Sequence, residues 1–336
     1  MQVTRLVFVH GIGGPRDPAE ELRVWNGALA TGMRDAGHSE IASQLLCGRF
    51  DSKFAYYGDL FDRGQGQGGG VGVESEQVGL LLLELLVDLI DDLAEDEDLV
   101  GAESARDLRD ADKPDAEERR KVLAFARAET VSGAQEQGVM GAVRRCLNVA
   151  TTVLELKPWR RLGRWAAPKL MVRELAQVVR YLDRAELDPG GLTLDMRIRN
   201  RVVQALGDGP CVVVAHSLGT VVAWEALHSR KASVPLFTTL GSPISMRTAV
   251  WPRVLPQPPR TPECVRRWRN YYDRDDPIAV RPKLEKDIAP NSRFVRPKTK
   301  RVDSDGLWVH PATLYLAQEG VAGKIAEALT AEQGCG

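Results

Sequence analysis

The strongest constraint on this chain is a buried strand that turns at once into a helix. The apolar, β-branched run at residues 211–215 passes directly into His216-Ser217-Leu218-Gly219, where a helical pattern starts. Such a run predicts a strand covered on both faces, as in a parallel sheet with helices on each side. A serine at so sharp a turn has a strained backbone, and its hydroxyl projects above the sheet. The alternative is a buried strand followed by an ordinary serine helix cap.

The neighbours of Ser217 suit a catalytic nucleophile. Side chains two positions before and two positions after the serine must be small, and Ala215 and Gly219 meet this requirement. The helix that follows directs N–H groups and a partial positive charge towards the turn. The pattern therefore predicts that Ser217 attacks a substrate.

Strand and helix patterns alternate towards both ends of the chain. Apolar or β-branched runs predict strands at residues 4–10, 53–57, 210–215, 234–240 and 265–272. Helical spacing is found at residues 22–36, 218–229 and 313–330. This alternation predicts the α/β class, with a mostly parallel sheet flanked by helices.

The middle of the chain differs from both ends. A glycine-rich stretch at residues 64–72 is typical of a flexible linker, and helical periodicity follows it without a strand pattern. We therefore expect a core formed by residues 1–65 and 205–336, and a helical cap or lid insertion at residues 75–204.

Two segments of the predicted cap are apolar or aromatic. Residues 80–90 are rich in leucine, and residues 158–165 contain two tryptophans among arginines. One interpretation is that they pack the cap on the core. The other is that they cover an apolar substrate and make peripheral contact with an anionic membrane surface.

Composition and charge exclude several classes of protein. The 336 residues are 43% hydrophobic and carry a formal net charge of −1, which suits a globular protein with a sizeable core. Residues 91–120 carry thirteen acidic and five basic side chains, whereas residues 251–301 carry fourteen basic and six acidic ones. We interpret these as solvated faces of opposite sign, with an anionic partner for the basic stretch as the alternative. No nucleic-acid partner is expected, because the basic residues match no nucleic-acid-binding motif.

The cysteines and the N-terminal sequence predict a cytoplasmic location. Five cysteines are scattered along the chain: Cys47, Cys146, Cys211, Cys264 and Cys335. Their spacing matches no metal site, so we expect free thiols in a reducing compartment. A strand pattern begins at Val3 without a preceding signal sequence. The longest apolar run, at residues 78–90, is interrupted by Glu84 and Asp88 and is too short to span a bilayer.

The serine turn and an early glycine-rich segment together resemble those of α/β-hydrolase lipases and esterases. The sequence at Ala215–Gly219 is similar to the A-H-S-x-G elbow of small lipases, with Ala215 in place of the first glycine of G-x-S-x-G. Those enzymes also carry an H-G-I-G-G segment, which His10–Gly14 matches. The resemblance covers residues 1–60 and 205–325 and implies the α/β-hydrolase fold.

The resemblance also implies an oxyanion hole. The tetrahedral intermediate of acyl transfer needs preorganised N–H donors for its negative charge. The N–H of Leu218, the residue after the nucleophile, is the first expected donor, and the resemblance makes the N–H of Ile12 the second. The alternative for the Ile12 segment is a plain glycine-rich turn after a strand. His10 is expected to position that loop.

The base is expected after Ser217, because the chain order in this fold is serine, acid, histidine. Two histidines follow Ser217. His228 lies about three helical turns beyond the serine and points away from the turn. His310 is therefore the expected base, with an exposed loop histidine as the alternative.

The expected acid is Asp276. It begins an Asp-Pro-Ile segment just after a predicted strand, where hydrolases place their acid loop. Asp273 is the alternative acid. Asp303 and Asp305 are too near His310 in sequence and are expected in a solvated turn.

Together these residues predict a serine hydrolase that cleaves a carboxylic ester through an acyl-enzyme on Ser217. The expected partner is a small-molecule or lipid-like acyl substrate, and no metal or organic cofactor is needed. A peptidase, a thioesterase or an acyltransferase would use the same triad. A non-catalytic, hydrolase-like binding module is the alternative outside the enzymes. Ser242, in a Gly-Ser-Pro turn, is expected to shape the acyl pocket, with a second nucleophile as the alternative.

Overall fold

The chain divides into two units. A computed structural model describes residues 5–11, 16–62, 177–178, 180–246, 250–274, 276, 278–279, 282–304 and 309–333. The first unit comprises Met1–Asp62, Leu187–Ser245 and Val254–Gly336. The second comprises Arg63–Glu186 and Met246–Arg253.

Six described strands form one parallel sheet in the first unit. In chain order they are β1 (Arg5–Val9), β2 (Asp51–Ala55), β3 (Cys211–His216), β4 (Phe237–Leu240), β5 (Trp268–Asp273) and β6 (Pro297–Val302). Across the sheet the order is β2-β1-β3-β4-β5-β6, and every neighbouring pair is parallel. The chain thus passes from β1 to one side and later returns on the other side as β3. In such sheets, ligands bind beyond the carboxyl ends of the strands, where the strand order reverses.

Helices cover both faces of this sheet. The α-helices of the first unit are α1 (Pro18–Asp35), α2 (Ser39–Leu46), α3 (Asp59–Asp62), α4 (Leu194–Leu206), α5 (Leu218–Leu227), α6 (Ala312–Leu316) and α7 (Glu319–Gln333). Short 3-10 helices are formed by Leu284–Lys286 in the first unit and Trp251–Arg253 in the second. Helix α1 contacts α2, α6 and α7, whereas α4 and α5 contact each other and β1.

Alternate residues of each central strand build the core. Leu6 and Phe8 of β1 belong to a buried cluster with residues of α1, α2, α6 and α7. Because successive side chains of a strand point to opposite faces, Val7 and Val9 point towards α4 and α5. All residues of β3 are buried for the same reason, which explains its continuous apolar sequence.

Helix α1 begins and ends at residues that stabilise helix termini. The side chain of Asp17 accepts the N–H of Ala19 at 2.8 Å and caps the helix. Pro18 follows as the first helical residue, where no intrahelical N–H bond is lost. Arg34 in the last turn complements the negative end of the helix dipole.

The predicted α/β class and the mostly parallel sheet are confirmed, with several differences in detail. Strands β4 and β5 begin three residues later than predicted, at Phe237 and Trp268. Val234 and Val265 pair with each other before these strands, but only as an isolated bridge. The sequence patterns did not predict β6, α2 or α4. The single helix predicted at 313–330 is divided into α6 and α7.

The cap predicted at residues 75–204 lies mostly outside the described residues, as do its segments 80–90 and 158–165. These stay predictions. Helix α4, at the end of that range, belongs to the first unit and contacts β1 and β2. In the second unit, the guanidinium of Arg184 donates to the carbonyl of Arg253 at 2.9 Å. In the part of the chain that the structure describes, no helix is long and apolar enough to cross a membrane.

Two glycines of α1 provide a test of this packing. A Cβ at Gly32 would meet the carbonyl oxygen of Ala317 at 2.6 Å and the Cβ of Ala322 at 2.8 Å, whereas a Cβ at Gly27 would meet nothing within 4 Å. We expect Gly32→Ala to lower the free energy of unfolding by about 1–3 kcal/mol through overpacking. Gly27→Ala should raise it by up to about 1 kcal/mol through helix propensity. Urea denaturation measures both changes, and stabilisation by both variants would contradict the observed packing of α1.

Candidate active site

Ser217 lies in a tight turn between β3 and α5. β3 ends at His216 and α5 begins at Leu218, and Ser217 between them has φ 54° and ψ −133°. A left-handed φ is uncommon for a residue other than glycine and stores backbone strain, which is frequent at functional sites. The local geometry is thus that of a sharp strand-to-helix elbow rather than of an ordinary serine cap, whose backbone is extended.

Glycines on both sides of the turn allow close approach of neighbouring backbone. A Cβ at Gly11, in the loop after β1, would meet the Cβ of Ser217 at 2.6 Å and its Oγ at 3.1 Å. A Cβ at Gly219 would meet the carbonyl oxygen of Val9 at 2.5 Å. The need for a small residue at Gly219 therefore arises from the packing of α5 on the end of β1.

Hydrogen bonds fix the backbone of the elbow. The N–H of Ser217 donates to the carbonyl of Leu240, at the end of β4, at 3.0 Å. The hydroxyl of Thr220 donates to the carbonyl of Ser217 at 2.7 Å. Leu218 is the first residue of α5, so its N–H is not needed within the helix and lies at the positive end of the helix dipole. These contacts fix the backbone that carries the Ser217 hydroxyl and the Leu218 N–H.

Asp276 and His310 form a buried hydrogen-bonded pair. Nδ1 of His310 lies 2.9 Å from Oδ1 and 2.8 Å from Oδ2 of Asp276. Asp276 is 1% exposed and His310 is 7% exposed. The same carboxylate accepts the hydroxyl of Tyr315 at 2.6 Å and the N–H of Ile278 at 2.9 Å. With Nδ1–H donating to the carboxylate, Nε2 of the neutral imidazole carries no hydrogen and can accept a proton.

The surroundings of Asp276 keep it ionised. Burial by itself would raise the pKa of this carboxyl group. The charge and hydrogen bond of His310, followed by the bonds from Tyr315 and the Ile278 N–H, outweigh burial and lower the pKa below its usual value. Burial and the adjacent Asp276 charge raise the pKa of Tyr315, which therefore stays protonated and continues to donate. The pair thus combines a charged carboxylate with a histidine in a fixed orientation.

The elbow and the Asp276–His310 pair belong to one site. Nε2–H of His216 donates to the carbonyl of His310 at 2.6 Å, and the two rings lie 4.5 Å apart. Gly241, in the turn after β4, has φ 53°, and a Cβ there would meet Oδ2 of Asp276 at 2.6 Å and Nδ1 of His310 at 3.3 Å. Its preceding residue, Leu240, is the one that accepts the Ser217 N–H. The turn after β4 thus connects the serine to the acid–histidine pair.

The two neighbouring histidines differ from His310 in their environment. Burial first, then the charge of His310, lowers the pKa of His216 to about 3, so its ring is neutral at physiological pH. Burial first, then the charge of Arg16, lowers the pKa of His10 to about 3 as well. Nε2 of His10 accepts the N–H of Tyr57 at 3.2 Å, the two rings stack at 4.1 Å, and the Tyr57 hydroxyl donates to the His10 carbonyl. His10 therefore fastens the start of the loop after β1 to the end of β2.

The structure brings together Ser217, Leu218, Asp276 and His310 from the residues expected at the site. Ile12, the other expected oxyanion donor, lies outside the described residues. The alternative acid, Asp273, is buried, and its Oδ2 accepts the N–H of Ser304 at 2.6 Å.

The remaining candidate residues of the sequence make other contacts. The hydroxyl of Ser242 lies 2.8 Å from Oγ1 of Thr220 and accepts the N–H of Ile244 at 3.3 Å. His228 ends α5, where its ring meets the edge of Trp224 at 5.0 Å. Asp303 is exposed and pairs with Arg301, as expected of a solvated turn, and Asp305 lies outside the described residues.

Sequence patterns missed three contributors to the site: Tyr315, His216 and Gly241. Tyr315 lies in α6, and its hydroxyl donates to Asp276 while accepting the N–H of Asp273 at 2.9 Å. A tyrosine inside an amphipathic helix carries no signal that distinguishes this role from ordinary core packing. The glycine of the Gly-Ser-Pro turn was a usable signal for Gly241, because glycine tolerates the left-handed φ and close approach found there.

The described residues contain no group of three or more His, Cys, Asp or Glu side chains that could hold a metal ion. The described cysteines, Cys47, Cys211 and Cys264, are free thiols. Comparison of the chain with known proteins found no matching protein-family model, no matching curated protein and no matching solved structure.

Replacement of Tyr315 tests the electrostatics of Asp276. A carboxyl group with a lowered folded-state pKa contributes stability above its unfolded-state pKa, and this stability is lost as the pH falls through the folded-state pKa. Tyr315→Phe removes a bond to the charged carboxylate, so we expect a loss of about 2 kcal/mol at neutral pH and about 1 kcal/mol at acid pH. Denaturant unfolding across this pH range measures the difference.

Tyr271→Phe is the matched control, because the Tyr271 hydroxyl is also largely buried but donates to the neutral carbonyl of Gly320 at 2.9 Å. Its cost should be about the same at both pH values. Equal, pH-independent losses in both variants would mean that Tyr315 does not stabilise the charged form of Asp276.

Proposed function

We propose that this chain is a serine hydrolase of the α/β-hydrolase fold that cleaves a carboxylic ester through an acyl-enzyme on Ser217. The observation that carries the proposal is the buried Asp276–His310 pair beside a serine whose φ is 54°. A charged carboxylate, an oriented imidazole and a strained strand-to-helix serine are the parts that nucleophilic acyl transfer requires.

The fold supports this proposal through the position of the site. Ser217, Gly241 and Asp276 follow the carboxyl ends of β3, β4 and β5, and Gly11 follows that of β1. Ligand sites of parallel α/β sheets lie at this edge, and β1 and β3 flank the point where the strand order reverses. The chain order of serine, aspartate and histidine is also that of α/β-hydrolases.

In the proposed first half-reaction, Nε2 of His310 takes the proton of the Ser217 hydroxyl while Oγ attacks the carbonyl carbon of the ester. Asp276 accepts Nδ1–H and stabilises the imidazolium that forms. The resulting oxyanion accepts the N–H of Leu218, and we assign the second donor to Ile12. Each such donor is worth about 3–4 kcal/mol of the barrier. His310 then gives its proton to the leaving alkoxide, which departs as an alcohol.

The second half-reaction releases the acid. His310 takes a proton from a water molecule whose oxygen attacks the acyl carbon, and a second tetrahedral intermediate uses the same oxyanion donors. When it collapses, the proton returns to Oγ of Ser217 and the carboxylic acid leaves. No metal or organic cofactor takes part in this scheme, and the proposed substrate is a small or lipid-like acyl ester.

Turnover of p-nitrophenyl esters of increasing chain length tests the proposal. We expect Ser217→Ala and His310→Ala each to lower kcat/KM by about four orders of magnitude or more, since the triad acts as a unit. Ser242→Ala is the control nucleophile and should keep ester turnover. Turnover that persists in Ser217→Ala would contradict the proposal, and hydrolysis of thioesters or amides in preference to esters would change the proposed substrate class.

A pair of aspartate variants separates the two candidate acids. Asp276→Asn should lower kcat by about four orders of magnitude, because the amide cannot fix the productive tautomer of the histidine. Asp273→Asn, on a buried side chain that accepts the Ser304 N–H, should lower it far less. The reverse order of effects would transfer the role of acid to Asp273.

A further inference from the structure

Phe294 is the most exposed large hydrophobic side chain among the described residues, at 87%. It also has φ 59°, a left-handed backbone conformation. A bulky residue rarely adopts this conformation, and asparagine or glycine would do so at lower cost. Neither the packing nor the backbone of the fold therefore accounts for a phenylalanine at this position.

The turn that presents Phe294 is well fixed. We call residues 291–295 the Phe294 turn. The buried amide of Asn291 donates to the carbonyls of Pro262 and Val265 at 3.1 and 3.0 Å. Its Oδ1 accepts the N–H groups of Arg293 and Val295 at 3.1 and 3.0 Å. These bonds hold the turn against the segment before β5, with the Phe294 ring in solvent.

Basic residues are frequent in the Phe294 turn and in the segments that follow and contact it. Residues 264–272 carry three arginines and residues 291–301 carry five basic side chains, and neither segment contains an acidic residue. We call three exposed residues in and just after the turn the basic rim: Arg293, Arg296 and Lys298. Arg266 and Arg267 instead donate to the Ser233 hydroxyl and the Pro235 carbonyl, both before β4, at 3.3 Å. Glu263, which accepts the N–H of Ser292 at 3.1 Å, and the exposed Asp287, four residues before Asn291, are the acids next to the turn in the described residues. Cations thus outnumber carboxylates in the segments that flank the exposed aromatic ring.

We propose that the Phe294 turn and the basic rim attach the protein to an anionic phospholipid surface. The ring would enter the boundary between headgroups and acyl chains, where aromatic side chains partition. The basic rim would lie against lipid phosphates, and each cation near such a surface strengthens binding about fivefold. A protein partner would need a pocket shaped for one protruding ring, whereas a bilayer interface accepts the ring and its cations without such a match.

This surface is separate from the candidate active site. The Phe294 turn precedes β6, so it lies at the amino end of the parallel strands, whereas Ser217 follows the carboxyl end of β3. Attachment through Phe294 would leave the carboxyl edge of the sheet facing away from the bilayer. The inference therefore does not depend on the proposed hydrolase activity.

Cosedimentation of the full chain with phosphatidylcholine vesicles, with and without phosphatidylserine, tests the proposal. Binding should require phosphatidylserine and weaken steeply as ionic strength rises. Phe294→Asn should reduce the partition coefficient about tenfold or more by removing the apolar anchor. The double variant Arg293→Gln/Arg296→Gln should reduce it about twenty-five-fold. Val203→Gln, at an exposed apolar residue of α4, is the control and should bind as the wild type does.

The Phe294→Asn variant also excludes misfolding as an explanation. Asparagine tolerates the left-handed φ, so this variant should be at least as stable to urea as the wild type while binding vesicles more weakly. Three results would overturn the proposal: no binding to phosphatidylserine vesicles, binding that Phe294→Asn leaves unchanged, or concentration-dependent self-association that this variant abolishes without any vesicle binding.

Discussion

The parallel pairing of β1 with β3 is the constraint on which the candidate site depends. Their register places Val9 beside Ala215, so the loop after β1 and the turn after β3 leave the sheet at the same level. Gly11 and Gly219 then bring backbone against Ser217 and against the end of β1 at distances that no side chain could occupy. The strained φ of Ser217 is thus maintained by packing on two sides, as stored strain at functional sites requires.

A second constraint is the buried charge of Asp276. A carboxylate without partners would be protonated at this depth, because burial opposes ionisation. Here the imidazole of His310, the hydroxyl of Tyr315 and the N–H of Ile278 all stabilise the charged form. The loop after β5 supplies the carboxylate, the segment that leads into α6 supplies the imidazole, and α6 itself supplies the hydroxyl. The sheet therefore determines where the pair lies, and the hydrogen bonds determine its charge.

Sequence patterns predicted those parts of the fold whose signals are local. The run in β3 is apolar throughout because both faces are covered, and the small residue at Gly219 marks the turn that follows. β6 escaped prediction because its sequence, Pro-Lys-Thr-Lys-Arg-Val, contains no apolar run, as expected at the basic edge of a sheet. The role of Tyr315 could not be predicted because it depends on where α6 packs. In the sequence, only a short motif distinguishes Asp276 from Asp273 as the partner of His310. In the structure, the hydrogen bond from His310 to Asp276 distinguishes them.

The proposed activation of Ser217 by His310 can be tested by the site of covalent modification. A fluorophosphonate probe reacts with a serine that a neighbouring base has activated, and peptide mapping by mass spectrometry identifies the modified residue. We expect one adduct per chain, on Ser217, and we expect His310→Ala to abolish it without unfolding the protein. An adduct on Ser242 or on any other residue, or no adduct on the folded wild-type protein, would contradict the proposal.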